Sequence, residues 1–187
     1  MLAICRSDRV STTMAKPATE GPPMLSLVPM TEAEFAAYLA HAVRDYADDH
    51  IRAGDVVPEE ALSRAQKDYD ELLPEGLHSK NDFLFTLTHG TFGAIGMVWF
   101  ELKERRAVKS AYLYDFTIRE DLRGKGYGRQ ALELLEAKLR ESGVRSIGLN
   151  VFGYNHVARA LYEKMGYRIT GIGMTKQLAP YVRTSRS

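Results

Sequence analysis

The sequence from Ala111 to Ala131, AYLYDFTIREDLRGKGYGRQA, decides the fold of this chain. Its first half is apolar, aromatic and β-branched, which predicts a strand, and its second half is a loop that opens into a helix. The loop has glycines at 124, 126 and 128, so no Cβ covers its backbone N–H groups. The start of the helix adds unpaired N–H donors and the positive end of the helix dipole.

This loop is predicted to bind an anion, most plausibly a phosphate or pyrophosphate. The basic residues Arg123, Lys125 and Arg129 flank the glycines and would add positive charge beside the donors. The alternative for any glycine-rich loop is that its basic side chains are simply solvated. Here the strand, glycines, basic residues and helix follow one another in the order that a phosphate site requires, which favours the first interpretation.

The composition is that of an ordinary globular protein. Of 187 residues, 45% are hydrophobic and 26% charged, which is enough for one domain with a sizeable core. The formal net charge of +1 does not favour nucleic acid or a membrane surface as a partner. The single cysteine, Cys5, excludes an internal disulfide and suits a reducing compartment, and no apolar run is long enough for a membrane span. We therefore expect a cytoplasmic protein.

We expect one domain over residues 24–178, preceded by a disordered tail over residues 1–23 and followed by a tail over residues 179–187. The sequence leaves the true start open among Met1, Met14 and Met24. The five histidines show no metal-ligand spacing, so no metal site is predicted.

The domain is predicted to contain a meander of strands followed by one parallel crossover. A short strand over residues 25–28 precedes two helices, the first starting at a Thr31–Glu34 capping box and the second at Pro58. The second helix is expected to bury Leu62, Ala65, Tyr69 and Leu72. Strands follow over residues 82–89, 94–103 and 110–119, then a helix from about Tyr127 and a parallel strand over 145–151. A helix over 155–165 and one or two strands within 167–178 complete the chain.

Two blocks of this sequence resemble the GNAT superfamily of acyl-CoA-dependent N-acetyltransferases. Arg123-Gly-Lys-Gly126-Tyr-Gly128 is similar to the family's Arg/Gln-x-x-Gly-x-Gly/Ala motif. The segment from Asn155 to Tyr167 is similar to its Asn-x-x-Ala-x-x-x-Tyr-x-x-x-Gly-Phe/Tyr motif. The resemblance covers residues 82–178. It implies an α/β fold with a mixed sheet of six to seven strands, splayed centrally and flanked by about four helices.

The resemblance also implies the reaction, the ligands and the residues that bind them. The reaction is direct transfer of an acetyl group from acetyl-CoA to a primary amine in a ternary complex. Tyr162 would be the general acid for the thiolate, and Asp115 a candidate base, with Glu101 on the preceding strand as an alternative. The substrate amine could also arrive neutral, and Asp115 could equally hold a neighbouring group. The implied acetyl-CoA contacts are Phe116, Thr117, Ile118, Arg123, Gly124, Lys125, Gly126, Tyr127, Gly128, Arg129 and Asn155.

Three other interpretations were weighed against this one. Gly126-Tyr-Gly128-Arg-Gln-Ala131 also fits a dinucleotide-binding loop, but no acidic residue follows about 20 positions later and the upstream strands form a hairpin. A Walker A loop is absent from the sequence. A catalytically silent acyl-CoA sensor remains open, although it would not need Tyr162. The identity of the amine and the oligomeric state, a homodimer included, cannot be read from the sequence.

Overall fold

The computed structural model describes residues 4–5, 25–176 and 178, and it contains a mixed sheet with helices on both faces. The six strands are β1 (Ile4–Cys5), β2 (Leu25–Pro29), β3 (Asp82–His89), β4 (Gly93–Arg105), β5 (Val108–Ile118) and β6 (Ser146–Leu149). The four helices are α1 (Glu32–Ala53), α2 (Pro58–Leu72), α3 (Tyr127–Glu141) and α4 (His156–Lys164). The predicted α/β fold class is confirmed. The strand number reaches six only when the two-residue β1 is counted.

Strands β2 to β5 form an antiparallel meander, in the order β5-β4-β3-β2. Strand β6 then pairs with β5 in parallel, after the crossover through α3. The predicted hairpin, meander and parallel crossover are therefore confirmed. Among the described residues, no helix is long and apolar enough to cross a membrane.

The sheet divides the interior into two hydrophobic cores. On one face, α3 and α4 bury Leu132, Leu135 and Tyr162 against Phe100 and Phe116. On the other face, α1 and α2 cover an aromatic core, whose large members are Phe35, Tyr38, Tyr46, Tyr69, Trp99 and Tyr114. Burial of this much apolar surface is the main favourable contribution to folding.

Helix α1 starts and ends where the sequence predicts. The Thr31 hydroxyl accepts the Glu34 backbone N–H, and the Glu34 carboxylate accepts the Thr31 backbone N–H at 2.8 Å, which completes the capping box. Gly54 ends the helix with a φ of 77°, a conformation that costs glycine little. Of the predicted stripe of α2, Ala65 and Tyr69 are buried and Leu72 is partly buried against the same core, whereas Leu62 is 52% exposed and Ala61 is buried instead.

A β-bulge in β5 alters which side chains share a face of the sheet. Trp99 lies opposite Asp115, but the next residue, Phe100, lies opposite Leu113, so Tyr114 is the extra residue. Strict alternation predicts that Asp115 points away from both Tyr114 and Phe116. The structure contradicts half of this: Tyr114 and Asp115 both lie on the α1–α2 side, and only Phe116 lies on the α3–α4 side.

The end of the chain differs from the prediction. We expected one or two strands within residues 167–178, but residues 167–176 adopt no strand, and Ile172 and Met174 are exposed. The pairing of β5 with β6 ends at Leu113 and Leu149. Helix α4 and residues 167–176, which follow β6, do not extend the sheet. The predicted tails lie outside the described residues, apart from Ile4–Cys5, which is a strand.

We predict that Gly96→Ala destabilises the fold. A Cβ at Gly96 would lie 2.0 Å from the backbone oxygen of Thr117, so β4 and β5 would have to separate. Overpacking of this kind costs about 1–3 kcal/mol, and here backbone must move, so we expect a loss of at least about 2 kcal/mol in unfolding free energy. The measurement is urea denaturation.

Gly148→Ala is the matched control. It also lies in a strand, yet its added Cβ would meet only the Tyr112 ring, at an ordinary 3.5 Å. An equal loss of stability in both variants would contradict the prediction.

Candidate active site

The glycine loop has the backbone shape that an anion site needs. Gly124 and Gly126 have φ values of 71° and 87°, and an added Cβ at Gly124 would meet nothing within 4 Å. Gly126 is the N-cap of α3, and no side chain caps this helix. The open face of the loop and the start of α3 therefore have the geometry that the predicted anion site requires.

The basic side chains of the loop have different local partners. Arg123 donates from Nε to the backbone oxygen of Ile118 at 2.8 Å and so attaches the loop to the end of β5. Lys125 donates to the backbone oxygen of Asp121 at 2.9 Å, a neutral partner that leaves its positive charge uncompensated by that bond. Arg129 pairs with Glu133 at 2.8 Å on the surface of α3. Arg123 and Lys125 thus donate to neutral carbonyl oxygens, whereas Arg129 is paired with a carboxylate.

Gly128 brings three elements into contact at the start of α3. A Cβ at this position would lie 3.2 Å from Leu161 of α4 and 3.9 Å from both Ile118 and Phe116 of β5. The glycine therefore permits close packing of α4 and the end of β5 against the loop. The two sequence motifs meet here, through Gly128 of the first and Leu161 of the second.

On one edge, strand β5 pairs first with β6 and then, nearer this loop, with β1. Its pairing with β6 covers residues 110–113, while its pairing with β4 continues to Ile118. Beyond Leu113, the described residues that pair with this edge of β5 are those of β1, where Ile4 lies opposite Asp115 and Cys5 opposite Phe116. The predicted acetyl-CoA contacts Phe116, Thr117 and Ile118 lie along this stretch of β5.

Tyr162 and Asn155 lie on α4. Tyr162 is buried in the core that contains Phe116, with its ring 5.4 Å from that of Tyr167. Asn155 is the N-cap of α4, and its side-chain oxygen accepts the Ala158 backbone N–H at 3.1 Å. We predicted that Asn155 holds the pantetheine chain; the structure shows that its amide oxygen also holds the helix start.

Asp115 is enclosed by hydroxyl groups. Its carboxylate is 1% exposed and accepts from the Tyr38 hydroxyl at 2.9 Å and from the Thr117 hydroxyl at 3.3 Å. The Tyr38 hydroxyl also lies 3.2 Å from that of Tyr69. A buried carboxylate needs such donors, since burial without them is costly. This chain of hydroxyls was not predicted, because its members come from α1, α2 and β5.

A second group of carboxylates lies on the same face, farther along β4 and β5. Glu101 accepts from the Tyr114 hydroxyl at 2.7 Å, and Asp82 accepts from the Trp99 indole N–H at 2.7 Å. Asp82 and Glu101 are opposite one another in the β3–β4 ladder. Of these residues, the sequence had suggested only Glu101 for chemistry. The alternation of Trp99, Glu101 and Lys103 along one face of β4 was the available signal.

Within residues 25–176, no three His, Asp or Glu side chains cluster in a way that could hold a metal ion. Both ring nitrogens of His50 are buried, its ring packs edge-on against Tyr46, and burial lowers its pKa.

Comparisons with known proteins agree with this geometry. The model of the acetyltransferase (GNAT) family matches residues 39–167. The N-acetyltransferases YycN and YdgE of Bacillus subtilis are each 35% identical to this chain, over 82% of it and over 99% and 98% of their own lengths. The crystal structure of YycN superposes with a TM-score of 0.80 at 34% identity, over 84% of this chain and all of that one.

The chain belongs to the acetyltransferase (GNAT) family, and it is an acyltransferase. The family resemblance noted from its two motifs is thereby confirmed.

We predict that Asp82 gives the fold a distinctive pH dependence. Burial raises the pKa of Asp82 to about 6, and the charge of Glu101 adds to the rise, whereas the hydrogen bond from Trp99 opposes it. Between about pH 4 and 6 the native state therefore holds a proton that the unfolded state releases, so the unfolding free energy falls as the pH rises. Because Asp82 is half exposed, we expect a decrease on the order of 1 kcal/mol.

Urea denaturation of Asp82→Asn at pH 4 and pH 7 measures this contribution by its difference from the wild type. Asp48→Asn, at an exposed position of α1, is the control and should keep the wild-type pH dependence. If Asp82→Asn also keeps it, the proton is not on Asp82.

Proposed function

We propose that this protein transfers an acetyl group from acetyl-CoA to a primary amine by direct attack in a ternary complex. The observation that carries the proposal is the change of neighbour along β5. Strand β6 leaves β5 after Leu113, beside a glycine loop and an uncapped helix start. These are the two features that an extended pantetheine arm and a diphosphate would use.

The cofactor would bind by main-chain contacts. The pantetheine arm would add to the β5 edge along Phe116, Thr117 and Ile118, as an added strand pairs with an exposed sheet edge. The diphosphate would accept from the backbone N–H groups of residues 124–129, and Lys125 would add its charge. The backbone N–H near Phe116 would then polarise the thioester carbonyl, which gains negative charge as the amine attacks.

Tyr162 would donate a hydrogen bond or a proton to the leaving thiolate. A phenol with an ordinary pKa of ~10 stays protonated at neutral pH, so its hydroxyl can donate to the thiolate that forms when the C–S bond breaks. Its position on α4 supports this role, because α4 packs on the loop and on β5 through Leu161. Asn155, at the start of the same helix, would contact the pantetheine arm.

Asp115 is our proposed proton acceptor on the amine side. Because its carboxylate is 1% exposed and accepts from the hydroxyls of Tyr38 and Thr117, an amine would not meet it directly. The proton would reach it through the hydroxyl of Tyr38 or Thr117, while the nitrogen lone pair forms the new C–N bond. Cytoplasmic acetyl-CoA would supply the donor, and the protein would act there as a single domain over residues 24–178, alone or as a homodimer.

We predict that Tyr162→Phe lowers kcat by about tenfold or more without changing acetyl-CoA affinity, since general acid catalysis typically contributes ~100-fold or more. Steady-state release of CoA thiol gives kcat, and calorimetry gives the affinity. Tyr167→Phe is the control, because its ring lies beside that of Tyr162 in the same core.

An unchanged kcat in Tyr162→Phe would remove the acid role. If acetyl-CoA binds but no amine yields CoA thiol, the protein is an acyl-CoA sensor instead.

The strand β1 leads to another prediction. Ile4 and Cys5 pair with Asp115 and Phe116, on the edge proposed for pantetheine, so the cofactor must displace them. A chain that starts at Met24 should therefore bind acetyl-CoA more tightly than the full chain, by a factor that calorimetry measures. Equal affinities would show that β1 does not compete, and weaker binding by the shorter chain would show that the N-terminal segment assists the cofactor.

A further inference from the structure

The ammonium group of Lys103 lies in a cage of one carboxylate and two aromatic rings. Its Nζ is 2.9 Å from Oε2 of Glu101, 5.1 Å from the centre of the Tyr112 ring and 5.8 Å from that of the Tyr114 ring. We call Glu101, Tyr112 and Tyr114 the ammonium cage. A carboxylate beside aromatic faces is a general way to bind an alkylammonium ion.

The cage is held together by the sheet itself. Glu101 lies opposite Tyr112 in the β4–β5 ladder. The bulge places Tyr114 on the same side, where its hydroxyl donates to Glu101 at 2.7 Å. The Tyr112 and Tyr114 rings are 4.9 Å apart. The cage walls therefore lie on rigid strands, whereas Lys103 reaches them with a flexible side chain.

Lys103 is easy to displace. Its side chain is 49% exposed and that of Glu101 is 24% exposed, and ion pairs with this much solvent contribute about 0–1 kcal/mol. The Tyr112 hydroxyl is buried and has no hydrogen-bond partner among the described residues, so a ligand with a polar group could satisfy it. Asp82, opposite Glu101 on β3, adds further negative charge.

The cage is too far from the proposed thioester position to hold the reacting nitrogen. Tyr112 and Phe116 are four residues apart on β5, which corresponds to roughly 13 Å at ~3.3 Å per residue, slightly less across the bulge. The chemistry also opposes it, because the attacking nitrogen must lose its proton whereas the cage stabilises a cation. Both points favour a second, non-reacting ammonium group in the cage.

We propose that the acceptor is a linear diamine or polyamine, whose non-reacting ammonium group displaces Lys103 from the ammonium cage while its other amine is acetylated. This inference rests on the proposed function and deepens it by naming the class of acceptor. Glu101 is the residue that sets the specificity, and the length of the acceptor must match the distance from the cage to the thioester.

The test compares linear monoamines with diamines and polyamines of increasing length, by kcat/KM from CoA-thiol release. With the wild type, we expect spermidine to exceed a monoamine of similar length by at least tenfold, and 1,3-diaminopropane to be poor because it is too short. Glu101→Gln should remove this preference by raising KM for spermidine far more than KM for the monoamine. Glu104→Gln, on the exposed end of β4, is the matched control and should keep the preference.

A second variant examines the displaced group. Lys103→Met removes the internal competitor and should lower KM for spermidine several-fold with kcat unchanged. Calorimetric titration of spermidine into the CoA-saturated protein gives a readout that needs no turnover, and Glu101→Gln should abolish its binding heat.

Several results would overturn the inference. These are equal rates for monoamines and polyamines, a faster reaction with lysine peptides, or no spermidine binding to the CoA-saturated wild type. An equal loss of kcat for all amines in Glu101→Gln would make Glu101 a proton acceptor instead. Failure of the proposed function is distinguishable, because then either acetyl-CoA gives no binding heat with the full chain or the chain that starts at Met24, or it binds and neither monoamines nor polyamines release CoA thiol.

Discussion

The pairing of β5 with its neighbours is the constraint on which the rest of this structure depends. On one side, β4 pairs along the whole of β5 and approaches it so closely at Gly96 that no side chain fits against Thr117. On the other side, β6 pairs only to Leu113. Strand β5 is paired along its whole length with β4, which fixes its position in the sheet. Where β6 no longer pairs with its other edge, β5 can present main-chain groups to a ligand.

The bulge at Tyr114 gives this strand its two functional faces. Phe116 faces the core of α3 and α4, where Gly128 and Leu161 bring the loop close. Tyr114 and Asp115 both face α1 and α2. One extra residue thus places two consecutive polar groups on one side of the sheet. The glycine loop and the carboxylates are thereby assigned to different layers, joined through β5.

The carboxylates in the aromatic layer differ in their exposure, which separates their roles. Asp115 is enclosed and receives two hydroxyl hydrogen bonds, so it is suited to a fixed position. Glu101 lies nearer the surface and meets a lysine ammonium, so it is suited to exchange one cation for another. Asp82 is half-buried beside Glu101, and its raised pKa follows from that burial. Distance from solvent, more than residue type, decides what each of them can do.

The sequence by itself determined the local elements, because their causes are local. The capping box at Thr31, the left-handed stop at Gly54, the glycine loop and the parallel crossover all depend on neighbouring residues, and all were predicted. The two sequence motifs also identified the family to which the chain belongs. The tertiary structure alone decided the bulge at Tyr114, the hydroxyls around Asp115 and the place of Lys103 between two tyrosine rings. It also decided that residues 167–176 form no strand, although their composition favours one. These features arise between residues far apart in the chain, where register and packing, rather than local propensity, set which groups meet.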